Sequence, residues 1–117
     1  MLPETRKTLE QYGVNVDRTL ARFVGDEEMM LQFMRSLPQD ESFDQMVQAK
    51  KQGDQEAFQF AAHSLKGLSG NLGLTPLFEQ CSELMAAIRA GDEEAVDRQY
   101  GGVCAEYAHT VEMLKGL

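Results

Sequence analysis

Four residues on one side of a helical stretch could do chemistry together: His63, Lys66, Gly67 and Gly70. Turned by about 100° per residue, the segment 54–72 gathers Phe58, Ala61, Ala62, Leu65, Leu68 and Leu72 on the side a core must cover. His63 falls almost opposite, in water. Lys66, Gly67 and Gly70 follow it three, four and seven residues later, on the same outer stripe. Free imidazole titrates near about 6.5, so a neutral ring nitrogen is a competent nucleophile at neutral pH. The ammonium of Lys66, one turn along, is placed to neutralise an anion held on that ring. Two glycines serve a stable helix badly, costing about 2 kcal/mol together relative to alanine. They make sense if the surface beside the imidazole must stay clear for another protein's active site to close over it. Phe60, about 60° from His63 on the same wheel, is then an exposed aromatic at the border of this face, suited to docking.

The elements that must position these residues are helices. Only three prolines occur, no window alternates with a period of two, and helical spacing recurs between marked ends. A first short helix is predicted over residues 4–12 and ended by Gly13. Asn15 or Asp17 caps the next, over 17–37, with Leu20, Phe23, Met30, Phe33 and Leu37 on a common side until Pro38 interrupts it. Residues 43–51 continue with Phe43, Met46 and Val47 inward.

Lys50-Lys51-Gln52-Gly53-Asp54 places cations at a helix end, glycine for the left-handed exit and aspartate as the next N-cap. Arg89-Ala90-Gly91-Asp92 repeats that punctuation, and Gly73 before Thr75-Pro76 supplies another stop and start. Three long helices follow, over 54–72, 75–90 and 92–115. Leu77, Cys81, Leu84 and Ile88 line the second inwardly; Val96, Tyr100, Val103, Tyr107, Val111 and Leu114 line the third. Short joints force antiparallel neighbours. The expected fold is all-α: an antiparallel four-helix bundle with a short extra N-terminal helix, one domain over residues 1–117. Gly101-Gly102 inside the last helix calls for a close crossing or a kink.

Composition narrows the partners. With 19 acidic side chains against 11 basic ones the net charge is −8. Such a surface repels nucleic-acid phosphates and anionic headgroups, so neither nucleic acid nor a membrane is expected as partner. No stretch approaches the roughly 20 apolar residues of a membrane span. The start, Met1-Leu2-Pro3-Glu4-Thr5-Arg6-Lys7, turns polar too soon for a secretory signal. Cys81 and Cys104 lack CxxC spacing and are expected as buried, reduced thiols of a cytoplasmic protein.

The run Ala62-His63-Ser64-Leu65-Lys66-Gly67-Leu68-Ser69-Gly70-Asn71-Leu72-Gly73-Leu74 resembles the signature of the histidine-containing phosphotransfer (HPt) family. That signature reads His-x-Leu-Lys-Gly, then small residues, then a Leu/Ile-Gly pair. Gly13-Val14-Asn15-Val16-Asp17 through Phe33 resembles the family's first core segment, and Gly53-Asp54 its lead into the histidine helix. The likeness covers nearly the whole chain; Pro38 and Gly101-Gly102 depart from it, away from the motif.

The resemblance implies a phosphoryl carrier in a two-component phosphorelay. His63 takes a phosphoryl group from a receiver-domain aspartate and passes it to another, Lys66 neutralises the phosphate, and Gly67 and Gly70 keep the approach open. The implied partners are response-regulator receiver domains and a (hybrid) sensor histidine kinase, met by a monomer. No cofactor of its own is implied; Mg²⁺ comes with the receiver. No nucleotide-binding glycine loop occurs, so the chain is read as a carrier and not a kinase. Ser64 and Ser69 flank the stripe without an assigned role, and Arg89 is read as a solvated charge.

Two rivals are weaker. Glu106-Tyr107-Ala108-His109 spells the Glu-x-x-His of di-iron bundles, but those need two such motifs and further glutamates, so no metal site is expected. A helical adaptor that docks on a kinase or receiver without being phosphorylated would have no use for both His63 and Lys66.

Overall fold

The computed structural model describes residues 1–117, and four of its helices begin at a short polar side chain that caps them. It contains seven: α1 (Pro3–Tyr12), α2 (Val16–Arg22), α3 (Glu27–Arg35), α4 (Ser42–Gln52), α5 (Gln55–Asn71), α6 (Thr75–Ala90) and α7 (Glu93–Lys115), with a 3-10 turn at Leu37–Gln39 and no strand. Asn15, Asp26, Asp54 and Asp92 each accept a hydrogen bond from the backbone N–H three residues on, at 3.0–3.1 Å. Such a cap contributes about 1 kcal/mol. Asn15, and not Asp17, caps α2; the Asp17 carboxylate instead pairs with Arg6 at 2.9 Å.

Helices α4 to α7 run antiparallel around a core that includes Met46, Leu65, Leu84 and Val103, all fully buried. Each such side chain contributes about 1.5–3 kcal/mol by leaving water. The bundle closes between its first and last helices. Phe43 stacks on Tyr107 with ring centroids 3.8 Å apart, and Lys50 reaches Asp97 at 2.6 Å from between the Phe58 and Tyr100 rings.

The N-terminal helices cover the end where α5 turns into α6. The Tyr12 hydroxyl bonds Thr110 of α7, and Arg35 donates to the Leu117 carbonyl at 3.2 Å. Gly73, at φ +69°, lies hard against Thr19. Its left-handed backbone and the lack of room for a β-carbon both demand glycine there. No helix is long and apolar enough to cross a membrane.

The single helix expected over 17–37 is two helices. Periodicity runs on through residues 23–26, but the chain turns there, with Val24 at φ +55° and Gly25 at φ +77° before the Asp26 cap. The Gly25 N–H donates to the Leu20 carbonyl at 3.0 Å and the Val24 N–H to Ala21 at 3.2 Å, the paired bonds of a Schellman exit. The turn also undoes the common apolar side. Met30 and Leu37 are buried, Leu20 and Phe23 only partly, and Phe33 is half exposed. Of the cysteines, Cys81 is buried and Cys104 only partly; both are free thiols. Of the two glycines within α7, Gly102 marks a close crossing, since a β-carbon there would lie 2.5 Å from Gln80 Oε1 on α6. Nothing in the structure explains Gly101.

Burial makes this fold sensitive to alkali. It pushes the Tyr12 phenol up from 10 to about 12, against the lowering effect of the Thr110 bond, and the Cys81 thiol from 9 to about 12. Both raised groups are held in their neutral forms. Their contribution is therefore complete below their ordinary values and is lost as pH climbs toward the folded ones. Urea midpoints should stay level up to about pH 9 and fall steadily from there to pH 12. Tyrosinate absorbance should rise together with unfolding; ionisation of all three tyrosines in a still-folded chain would contradict this.

Candidate functional site

His63 sits midway along α5 with its side chain in solvent, and its ring makes no hydrogen bond or ion pair within the chain. The helix positions it through the opposite face. Phe58, Ala61, Ala62 and Leu65 are buried, so rotation of α5 is set by the core and the imidazole is carried outward.

Lys66 is partly buried, with no carboxylate within salt-bridge distance. Its Nζ stands 5.8 Å from the centre of the Phe78 ring on α6. A cation over an aromatic face gains about 0.5–1 kcal/mol at such a site. The ammonium is thereby restrained one turn from His63 without being neutralised. Beneath it, the buried Ser69 hydroxyl donates to the Lys66 carbonyl at 3.0 Å, which gives that serine a structural place inside the helix. Ser64 is partly buried.

The two glycines of the stripe differ. A β-carbon at Gly67 would meet nothing within 4 Å, so no contact inside the chain requires glycine there. At Gly70 a β-carbon would lie 2.9 Å from Cδ1 and 3.0 Å from Cε1 of Phe78. Expected on the cleared outer surface, Gly70 instead faces the neighbouring helix. Its smallness lets the Phe78 ring lie against α5, which corrects the reading of both glycines as clearance.

Phe60 is 71% exposed and rims a groove between α4 and α5 lined by Glu41, Asp44, Gln45, Gln48 and Glu56. Arg89 is exposed in the last turn of α6. Glu106 and His109 do not converge with other ligands; they bond one another at 3.0 Å on the surface of α7.

Two residues near the stripe escaped the sequence reading. Phe78 carries Lys66 and fills the space beside Gly70, although in its own helix it is only a neighbour of the inward Leu77. Arg22 donates from Nη1 to the Gly70 carbonyl at 2.5 Å and to that of Asn71 at 3.4 Å, where a cation complements the C-terminal end of a helix. Neither pairing leaves a signal in sequence spacing.

Fold and site together define a class: a helical bundle presenting a histidine to solvent from the middle of one helix. Residues 28–115 match the Hpt domain family model, a stretch that contains α4 to α7 entire and the whole His63-to-Gly73 run; the chain belongs to that family. Its members are phosphocarrier modules of phosphorelays, not kinases, and work with receiver domains and histidine kinases. No curated protein and no solved structure matches the chain.

Proposed function

We propose that this chain carries a phosphoryl group on His63 between receiver domains. The observation that supports it most is the imidazole itself. It lies in water on α5 within the family-matched residues, beside an open surface at Gly67 and the unpaired ammonium of Lys66.

In the forward step a neutral ring nitrogen attacks the phosphorus of a receiver's aspartyl phosphate. An N–P bond forms as the acyl O–P bond breaks, and the aspartate carboxylate leaves. The second step is the reverse reaction with another receiver. Such in-line transfer depends on positioning and charge neutralisation more than on covalent help. Lys66 is the local cation for the carried phosphate, and Mg²⁺ is supplied by the receiver. Gly67 leaves room for the receiver's catalytic loop, and Phe60 contributes apolar contact at the edge. The chain acts as a cytoplasmic monomer fed, through receivers, by a sensor histidine kinase.

The test is direct. Purified chain is incubated with receivers carrying labelled aspartyl phosphate, and the label is followed by gel and by peptide mapping. Uptake of an acid-labile, alkali-stable phosphate on the peptide containing His63, released on adding a second receiver, supports the reading. Label found on any other residue, or none from any receiver, would defeat it.

A further inference from the structure

The core has no use for Phe78. Along α6 the buried stripe includes Leu77, Cys81 and Leu84; Phe78, one position past Leu77, is turned about 100° aside. Its ring is only partly buried, and it belongs neither to the core nor to the side chains packed against it. Leucine would serve the helix better, since aromatic side chains lose rotamer freedom there. Gly70 is locally poor as well, because glycine inside a helix weakens it. The two meet: a β-carbon at residue 70 would lie 2.9 Å from Cδ1 and 3.0 Å from Cε1 of the Phe78 ring. Two residues that each loosen their own helix are thus joined in one contact. The ring they place faces the Lys66 ammonium, 5.8 Å from its centre.

That contact suits a charge kept in waiting. Lys50 and Lys115 are paired with carboxylates, at 2.6 and 3.8 Å. Lys66 has no such partner, and the adjoining turns of α5 offer it none, since residues 62, 63, 69 and 70 are alanine, histidine, serine and glycine. A carboxylate would hold the ammonium but cancel its charge. An aromatic face holds it through the ring quadrupole and leaves the charge whole. The hold also removes part of the rotamer freedom of a long lysine side chain before a phosphoryl group arrives. Lys66 stands one turn from His63, and the full charges of a phosphoryl group there outweigh a quadrupole. The ammonium therefore passes from ring to phosphoryl group without an ion pair having to break.

We propose that Phe78 is a positioning residue for phosphoryl transfer: its ring, admitted by the bare backbone of Gly70, holds the Lys66 ammonium uncommitted beside His63. The inference rests on the phosphocarrier reading. It gives Gly70 a part in the chemistry through packing within the chain, not through clearance for a visitor.

Phosphoramidate tests it, because a donor that small needs no docking surface. The bond from a His63 ring nitrogen to phosphorus forms as the phosphorus–amine bond breaks, and the amine leaves as ammonia, which takes up the ring proton. Phe78→Leu should label about threefold more slowly than wild type, the share of one cation–π contact. Phe78→Tyr, which keeps the ring, should label at the wild-type rate. In a Lys66→Met background Phe78→Leu should cause no further loss, since the cation it positions is gone. With a phosphorylated receiver as donor, Phe78→Leu should lower kcat about threefold and leave KM unchanged. Equal labelling of Phe78→Leu and wild type overturns the inference and leaves the carrier reading intact. So does Phe78→Tyr as slow as Phe78→Leu, or a loss that persists in full without Lys66, for the ring would then act through packing alone. A raised KM for the receiver at unchanged kcat makes Phe78 a docking contact and overturns the inference too. A wild-type chain labelled by neither phosphoramidate nor any receiver overturns the carrier reading and this inference with it.

Discussion

His63→Gln is expected to take up no phosphate from any receiver, a fall of at least about three orders of magnitude to the assay background, while melting within about 4 °C of wild type. The two halves of that expectation have separate causes. The exposed ring makes no hydrogen bond or ion pair in the chain, and surface substitutions away from specific contacts change stability by about 0.5 kcal/mol or less. Glutamine also ranks slightly above histidine in helix propensity, so α5 has no reason to loosen. The chemical half is absolute. An amide nitrogen has its lone pair delocalised into the carbonyl and forms no stable bond to phosphorus, so the acceptor is gone although size and polarity are roughly kept. Docking should survive: a receiver that binds the wild type should bind His63→Gln with similar affinity. A variant that still accepts acid-labile phosphate would remove His63 from the mechanism. A wild type that binds receivers and is never labelled would leave the adaptor alternative standing.

Gly67 and Gly70, alike in sequence, should respond to alanine with opposite signs. At Gly67 the added β-carbon meets no atom within 4 Å. Stability should then rise by about 1 kcal/mol, the helix propensity difference, which for a domain of about 100 residues raises Tm by roughly 4–8 °C. At Gly70 the same gain is opposed by the Phe78 ring, 2.9 Å from the new carbon. Overpacking costs about 1–3 kcal/mol, so Gly70→Ala should melt at or below wild type.

Transfer separates them further. A leucine at Gly67 stands one turn from His63 on the face a receiver must approach, within about 6 Å. Displacing the phosphorus by even 1 Å from its in-line position costs about a hundredfold. Gly67→Leu should therefore be more stable than wild type and about a hundredfold slower in transfer, a combination that misfolding does not produce. Unimpaired transfer by Gly67→Leu would show that its surface is not where the partner comes.

The Gly25-Asp26 pair shows how much local chemistry the sequence holds and how it can be passed over. It is the same punctuation as Gly53-Asp54 and Gly91-Asp92, and its aspartate caps α3 as theirs cap α5 and α7. Apolar residues spaced as in a helix continue on both sides, so the pattern from residue 17 to 37 reads as unbroken. The signal of a stop was present; a valine, not glycine, at the left-handed position disguised it.

By itself the sequence determines what depends on near neighbours along the chain: caps, glycine exits, the antiparallel joints, and the rotation of α5 that turns His63 outward. These rest on spacing of a few residues, where a period of 3.6 and the φ preferences of glycine act directly. Only the tertiary structure decides which residues meet across helices: Phe78 under Lys66 and against Gly70, Arg22 on the end of α5, Gln80 beside Gly102. Those meetings are set by crossing angles and axial offsets, which the packing of the whole core adjusts together. No stretch of residues read in isolation contains them.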